Sequence, residues 1–190
     1  MEAIQNLDIA IIEWIQTHVV QDWLNLPMIW ISKLGNGGLL WILLGVVLLV
    51  AGIVQKRKSG NGEKIWQGIS LLLCLGTTAL VCNLWLKPAV ARIRPYDLLG
   101  FPILIPPLAD FSFPSGHTSA SFAAATAIYA VHKRWGIVAY LFAACMGFSR
   151  MYLGVHFPSD VVAGALIGFG MSRLTLFLIQ KWQTKQRHKE

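Results

Sequence analysis

Long uncharged apolar runs separated by short basic segments set the plan of this 190-residue chain. Gly37 to Gln55 carries no charge and is rich in Leu, Val and Gly. A helix rises about 1.5 Å per residue, so this stretch can cross a hydrocarbon core of about 30 Å. Ile65 to Leu86 is a second uncharged run. Ser115 to Val131, full of Ala, is a third, and Trp135 to Ser149 a fourth. Val161 to Gln180 is a fifth, interrupted only by Arg173. In residues 1–34, Ile4, Leu7, Ile11, Trp14, Ile15 and Val19 recur at helical spacing between Asp8, Glu13 and Gln16. That pattern predicts an amphipathic helix lying in the membrane interface. A short second helix should follow from Asp22 to Lys33, broken near Pro27.

The expected fold is therefore all-α: a polytopic membrane bundle of five spans plus an N-terminal interfacial segment. A sixth, imperfect span is the alternative for residues 1–34, disfavoured because Asp8 and Glu13 would be costly at mid-bilayer. The whole chain, 1–190, reads as one domain. Within it, 1–34 are interfacial helices, 35–180 the transmembrane core and 181–190 a basic tail. Gly164 and Gly168 form a GxxxG pair that would let the fifth span pack closely on a neighbour.

The loops orient this plan. Lys56, Arg57, Lys58 and Lys64 lie between the first two spans, and His132, Lys133 and Arg134 between the third and fourth. Lys181, Lys185, Arg187 and Lys189 follow the fifth. Five spans place these segments on one side, which the positive-inside rule makes cytoplasmic. Lys33, Lys87, Arg92, Arg94 and Arg150 fall on the opposite side. Trp41, Trp66, Trp85, Trp135 and Trp182 fall near span ends, as an aromatic belt would.

Composition agrees. Hydrophobic residues make up 55% and charged residues 13%, against about 25% charged in soluble proteins. A net charge of +7 suits nucleic acid or anionic lipid. The basic residues flank apolar runs, so the expected partner is the bilayer and not nucleic acid. Cys74, Cys82 and Cys145 lie in apolar runs with no metal-like spacing, so they read as buried small residues. The start Met1–Glu2–Ala3 has no basic segment or cleavage site, so no cleavable signal peptide is expected.

Three polar clusters stand out against this background, and the topology puts all of them on the outer face. The first runs from Lys87 to Arg94–Pro95; the second is Pro114–Ser115–Gly116–His117; the third is Ser149–Arg150 with His156 and Asp160. His156 and Asp160 are four apart and share a helical face. A carboxylate on one imidazole nitrogen would fix the tautomer and free the other nitrogen as a nucleophile. A surface His beside a helix-capping Asp is the ordinary alternative. His117 follows a glycine at a helix start, where backbone N–H groups cradle anions, and could act as a proton donor. A turn with an interfacial His would look the same. Lys87, Arg94 and Arg150 are what phosphoryl oxygens need, although interfacial cations also snorkel. Arg92 and Arg173 are read as headgroup contact and snorkelling. The apolar loop from Asp97 to Phe113 is expected at the headgroups or over the site.

The combined pattern Lys–x6–Arg–Pro, Pro–Ser–Gly–His, Ser–Arg–x5–His–x3–Asp resembles the signature of the type 2 phosphatidic acid phosphatase superfamily. Every fixed position matches from Lys87 to Asp160, while the N-terminal third carries no motif. The resemblance implies a phosphatase of membrane lipid phosphates that needs no metal or other cofactor and works through a phosphohistidine. It makes His156 the nucleophile, Asp160 its orienting partner and His117 the acid. Lys87, Arg94, Arg150, Ser115 and Gly116 would bind phosphate. Undecaprenyl diphosphate, phosphatidylglycerophosphate and phosphatidic acid are the lipids that small bacterial relatives use, and the plasma membrane, with the site facing outward, is the expected location. A phosphotransferase using the same residues, a vanadate-dependent peroxidase and a non-catalytic lipid-binding or transport protein are the competing readings.

Overall fold

The computed structural model of the chain describes residues 2–187. Among these the regular structure is entirely helical. Helix α1 spans Glu2–His18 and α2 Asp22–Leu34. Pro27 does not break α2. It sits in the second turn, where it removes one hydrogen bond to the helix start. A short link, Asn36–Gly38, leads into α3, Leu39–Ser59. Helix α4, Glu63–Ala79, widens into a π-helical turn, Leu80–Leu86, and ends in the short α5, Lys87–Val90. After α6, Pro95–Leu99, a loop leads to α7, Gly116–Val131. Helix α8 is Lys133–Tyr152 and α9 is Pro158–Arg187. Lys189, expected in the basic tail, lies outside the described residues.

Five of these helices coincide with the predicted apolar runs. Three stretches, Asn36–Ser59, Glu63–Leu99 and Pro158–Gln186, are long and apolar enough to cross a membrane. Helix α7 is different. Its 16 residues rise only about 24 Å, and Ala123, Ala124 and Ala125 are fully buried. It is the central helix, enclosed by α4, α8 and α9. Small side chains let those neighbours approach it. A Cβ on Gly164 would stand 2.6 Å from the Ser115 carbonyl, and one on Gly168 2.2 Å from the Ser119 carbonyl. The GxxxG pair of α9 therefore packs directly on the start of α7, setting the His117 end of one helix against the Asp160 end of the other.

The outward surface is apolar, with Leu43, Val47, Leu141, Leu166 and Phe177 exposed. Trp66 packs on Trp182 at the end where the basic loops gather, and Trp85 and Trp135 are exposed. Trp41 departs from the expected belt: it is buried and donates to Ser121 Oγ at 3.2 Å. In the first turn of α3 it faces α7, whose serine satisfies the indole N–H. Cys145 departs too, being exposed on α8 while Cys74 and Cys82 are buried.

The first two helices present apolar stripes outward, Ile4–Leu7–Ile11–Trp14 and Trp23–Leu26–Trp30–Leu34. Several of their polar residues, among them Asp8, Gln16, Asn25 and Ser32, turn inward. Gln16 Nε2 donates to the Met151 and Tyr152 carbonyls at 3.2 and 3.0 Å. Tyr152 Oη donates to Asn25 Oδ1 at 2.7 Å. Asp8 is 3% exposed. Helices α1 and α2 thus fold against the helix ends that carry the polar clusters.

Candidate active site

The three clusters meet at one end of the bundle. A cavity of about 580 Å³ is lined by Lys87, Arg94, Gly116, His117, Arg150 and His156, and continues along Ile42, Leu72, Leu75, Gly76 and Ala79. Ser115 and Asp160 are fully buried behind its wall.

His156 sits in the turn that reverses the chain from α8 into α9. Gly154 takes φ +68° there, a left-handed conformation that glycine adopts without a Cβ penalty. The Val155 N–H then bonds back to the Arg150 carbonyl at 3.1 Å, so His156 and Arg150 share one wall. Arg94 Nη1 lies 3.3 Å from His156 Nε2. A guanidinium only donates, so Nε2 is the acceptor and the ring proton sits on Nδ1. Nδ1 is 3.7 Å from Asp160 Oδ2, in ion-pair range but beyond a hydrogen bond. Burial pushes the imidazole down to about 3, so His156 is neutral at working pH.

Arg94 is locked by its surroundings. Its Nε donates to the Asp110 carbonyl at 2.9 Å and its Nη1 to the Val155 carbonyl at 2.6 Å. Nη2 pairs with Asp110 Oδ1 at 2.6 Å. Lys87 pairs with the other Asp110 oxygen and donates to the Phe111 carbonyl at 2.9 Å. Burial raises the Asp110 pKa, but Lys87 and Arg94 outweigh it and hold the carboxyl at about 2. Leu108 and Asp110 also line the cavity, so the loop between α6 and α7 caps the site.

Arg150 is 1% exposed. Its Nη1 donates to Ser32 Oγ of α2, while Nε and Nη2 have no protein partner among the described residues. Unpaired donors on a buried guanidinium that lines a cavity are a ready anion seat. His117 Nε2 contacts Asn36 Oδ1 at 2.9 Å. An amide oxygen only accepts, so His117 carries a proton on Nε2. Ser115 turns its hydroxyl to Thr118 Oγ1 at 2.9 Å, and its N–H donates to the Asp160 carbonyl at 3.0 Å.

One expectation is overturned. Arg92 is no headgroup contact; its guanidinium is drawn inward between two carboxylates, with Nη1 2.6 Å from Asp160 Oδ1 and Nη2 2.6 Å from Asp8 Oδ2. The segment Ala91–Arg94 is non-helical, and alternate side chains of an extended chain share a side. Arg92 and Arg94 point in, and Ile93 is 60% exposed. That alternation was the available signal. Asp110, an acid in an apolar outer loop, was another. Asp8, Ser32 and Asn36 carried none, because their partners are remote in sequence.

The family model for the PAP2 superfamily matches residues 67–184. A phosphatidylglycerophosphatase B from Bacillus subtilis is 34% identical over 194 residues, covering 96% of this chain and 86% of that protein. An undecaprenyl-diphosphatase from Sulfolobus acidocaldarius is 30% identical over 155 residues, covering 80% and 69%. The crystal structure of a transmembrane PAP2-type phosphatidylglycerolphosphate phosphatase from Bacillus subtilis is similar, with a TM-score of 0.75 at 29% identity, covering 95% of this chain and 88% of that one. From its family match, its relatives and its fold, this chain belongs to the PAP2 superfamily, the type 2 phosphatidic acid phosphatases.

Proposed function

We propose that this chain is an integral-membrane lipid phosphatase working through a phosphohistidine, without a metal. The observation that carries the reading is His156: a buried imidazole with its Nε2 lone pair held beside Arg94, in the cavity that Arg150 and His117 also line. Arg94, Arg150 and Lys87 would hold the phosphoryl oxygens, whose charge grows more delocalised in transfer. His156 Nε2 attacks phosphorus as the bond to the lipid oxygen breaks. His117, as the imidazolium, gives that oxygen its Nδ1 proton and is left neutral. Water, deprotonated by His117, then breaks the phosphorus–nitrogen bond and releases inorganic phosphate. Asp160 supports the imidazolium charge that forms.

The apolar extension past Ile42, Leu72 and Gly76 suits a lipid tail entering between α3 and α4. The substrate class is a lipid phosphate monoester or diphosphate: phosphatidylglycerophosphate, undecaprenyl diphosphate or phosphatidic acid. The end of the bundle opposite the site carries Lys56, Arg57, Lys58, Lys64, Lys133 and Arg134. By the positive-inside rule that end is cytoplasmic and the site faces outward from the plasma membrane. In this reading α7 and α8 complete five spans of a single domain, with α1 and α2 in the outer interface.

The test is phosphate release by purified protein from those three lipids. Turnover should survive EDTA and be abolished in His156→Ala. Turnover retained by that variant sinks the nucleophile, and a strict need for added divalent metal sinks the mechanism.

A further inference from the structure

Behind the nucleophile, Asp160 belongs to a hydrogen-bonded network whose other members the reaction above does not use. Asp160 is fully buried, and three groups share its carboxylate besides His156. Oδ1 accepts from Arg92 Nη1 at 2.6 Å. Oδ2 accepts from Ser112 Oγ and from the Phe157 N–H at 2.8 Å. Both terminal nitrogens of Arg92 have further partners. Its Nη1 also donates to Ser159 Oγ at 2.7 Å, and its Nη2 to Gln5 Oε1 and Asp8 Oδ2, both at 2.6 Å. Its guanidinium lies 4.2 Å from the centre of the buried Phe157 ring. Asp8 in turn accepts from the Ser159 N–H at 2.9 Å and from the Ser159 hydroxyl, at the first turn of α9. Arg92 comes from the segment before Arg94, and the groups that accept from it belong to α1 and α9. Arg92 does not line the cavity.

We infer that Arg92, held by Asp8 of α1, is a positioning residue for the Asp160–His156 pair, so that the first helix is part of the catalytic apparatus. With Oδ1 tied to Arg92, the remaining oxygen is the one presented to His156 Nδ1. The charge count supports this arrangement. Asp8 and Asp160 against Arg92 leave one uncompensated negative charge, which an imidazolium or phosphorylated imidazolium at His156 would neutralise. The guanidinium also explains an acid buried on the inward side of α1, since a buried carboxylate needs a partner. The inference rests on the proposed role of His156.

The experiment compares Arg92→Gln, Arg92→Lys, Asp8→Asn and His156→Ala in detergent. Phosphate release is measured over a range of lipid concentration, together with thermal unfolding and inhibition by inorganic phosphate. Displacing a reacting group by about 1 Å costs roughly 100-fold in rate. Arg92→Gln should therefore lower kcat by about that factor. KM and the inhibition constant for phosphate should stay within about twofold, because Arg92 is outside the cavity. Arg92→Lys should restore part of kcat, and Asp8→Asn should cost on the order of tenfold. Wild-type kcat in Arg92→Gln overturns the inference. So does a loss matched by weaker phosphate binding and unrescued by lysine, which would mark a purely structural role. Should Arg92→Gln fail to fold, Asp8→Asn decides: unchanged kcat there overturns the inference. His156→Ala keeps the two readings apart, since its retained turnover would refute the nucleophile, whereas an inactive His156→Ala beside a fully active Arg92→Gln refutes only the role of Arg92.

Discussion

Arg94 Nη1 stands 3.3 Å from His156 Nε2, and the direction of that contact sets the charge state of the nucleophile. A neutral, buried imidazole beside a permanent cation gives a signed dependence of stability on pH. Burial lowers the His156 pKa to about 3 from the ordinary imidazole value of 6.5, with Asp160 pulling the other way. As pH falls below about 6.5 the unfolded chain takes up a proton that the folded chain refuses until about pH 3. Stability contributed by this residue is thus complete above about pH 6.5 and is lost as pH falls through that window, by at most about 1.4 kcal/mol per pH unit. Unfolding of wild type and His156→Gln between pH 4 and pH 7 should show a shallower slope in the variant. Equal slopes would mean that His156 is charged in the folded protein.

Asp110 bridges Lys87 and Arg94 with a carboxylate held at about 2, so it is ionised throughout the working range. A phosphoryl group must compete with it for the same two cations. Asp110→Asn should tighten inhibition by inorganic phosphate by about tenfold, or about 1.4 kcal/mol. Competitive inhibition at fixed ionic strength is the measurement. A weaker inhibition would instead identify Asp110 as the brace that keeps the two cations in place.

Gly168 has no room for a side chain: a Cβ would sit 2.2 Å from the Ser119 carbonyl and 3.0 Å from its carbonyl carbon. Backbone cannot yield as a side-chain tip can. Gly168→Ala should destabilise the protein by about 1–3 kcal/mol. It should also lower kcat, because α7 carries His117 away from His156. Gly170, two residues on, meets nothing within 4 Å. Gly170→Ala should leave activity unchanged and unfold no earlier than wild type. A melting temperature unchanged in both variants would contradict the packing of α9 on α7.

Much of this architecture is readable along the chain, for local reasons. Membrane helices leave a long uncharged run because lipid cannot hydrate a charge or an unpaired peptide group. Glycines four apart mark a close helix crossing, and α9 meets α7 there. Lys87, Arg94, His117, Arg150 and His156 were identifiable by residue type and spacing, and they meet at one cavity. Trp41 and Cys145 were misread because an apolar run does not say which of its side chains face a neighbouring helix, and Pro27 because a proline early in a helix can cost a single hydrogen bond.

The division falls between the motifs and what holds them. The sequence by itself determined the helical class, the apolar runs and the reactive residue types, because each depends on neighbours within a few positions. Only the tertiary structure decided that the motif-free N-terminus supports all three clusters: Asp8 with Arg92, Ser32 with Arg150, Asn36 with His117. Those pairs join residues 81 to 118 positions apart. No periodicity encodes such a separation. It is settled when α1 and α2 dock, because a buried charge or donor must find whatever partner the packing brings within reach.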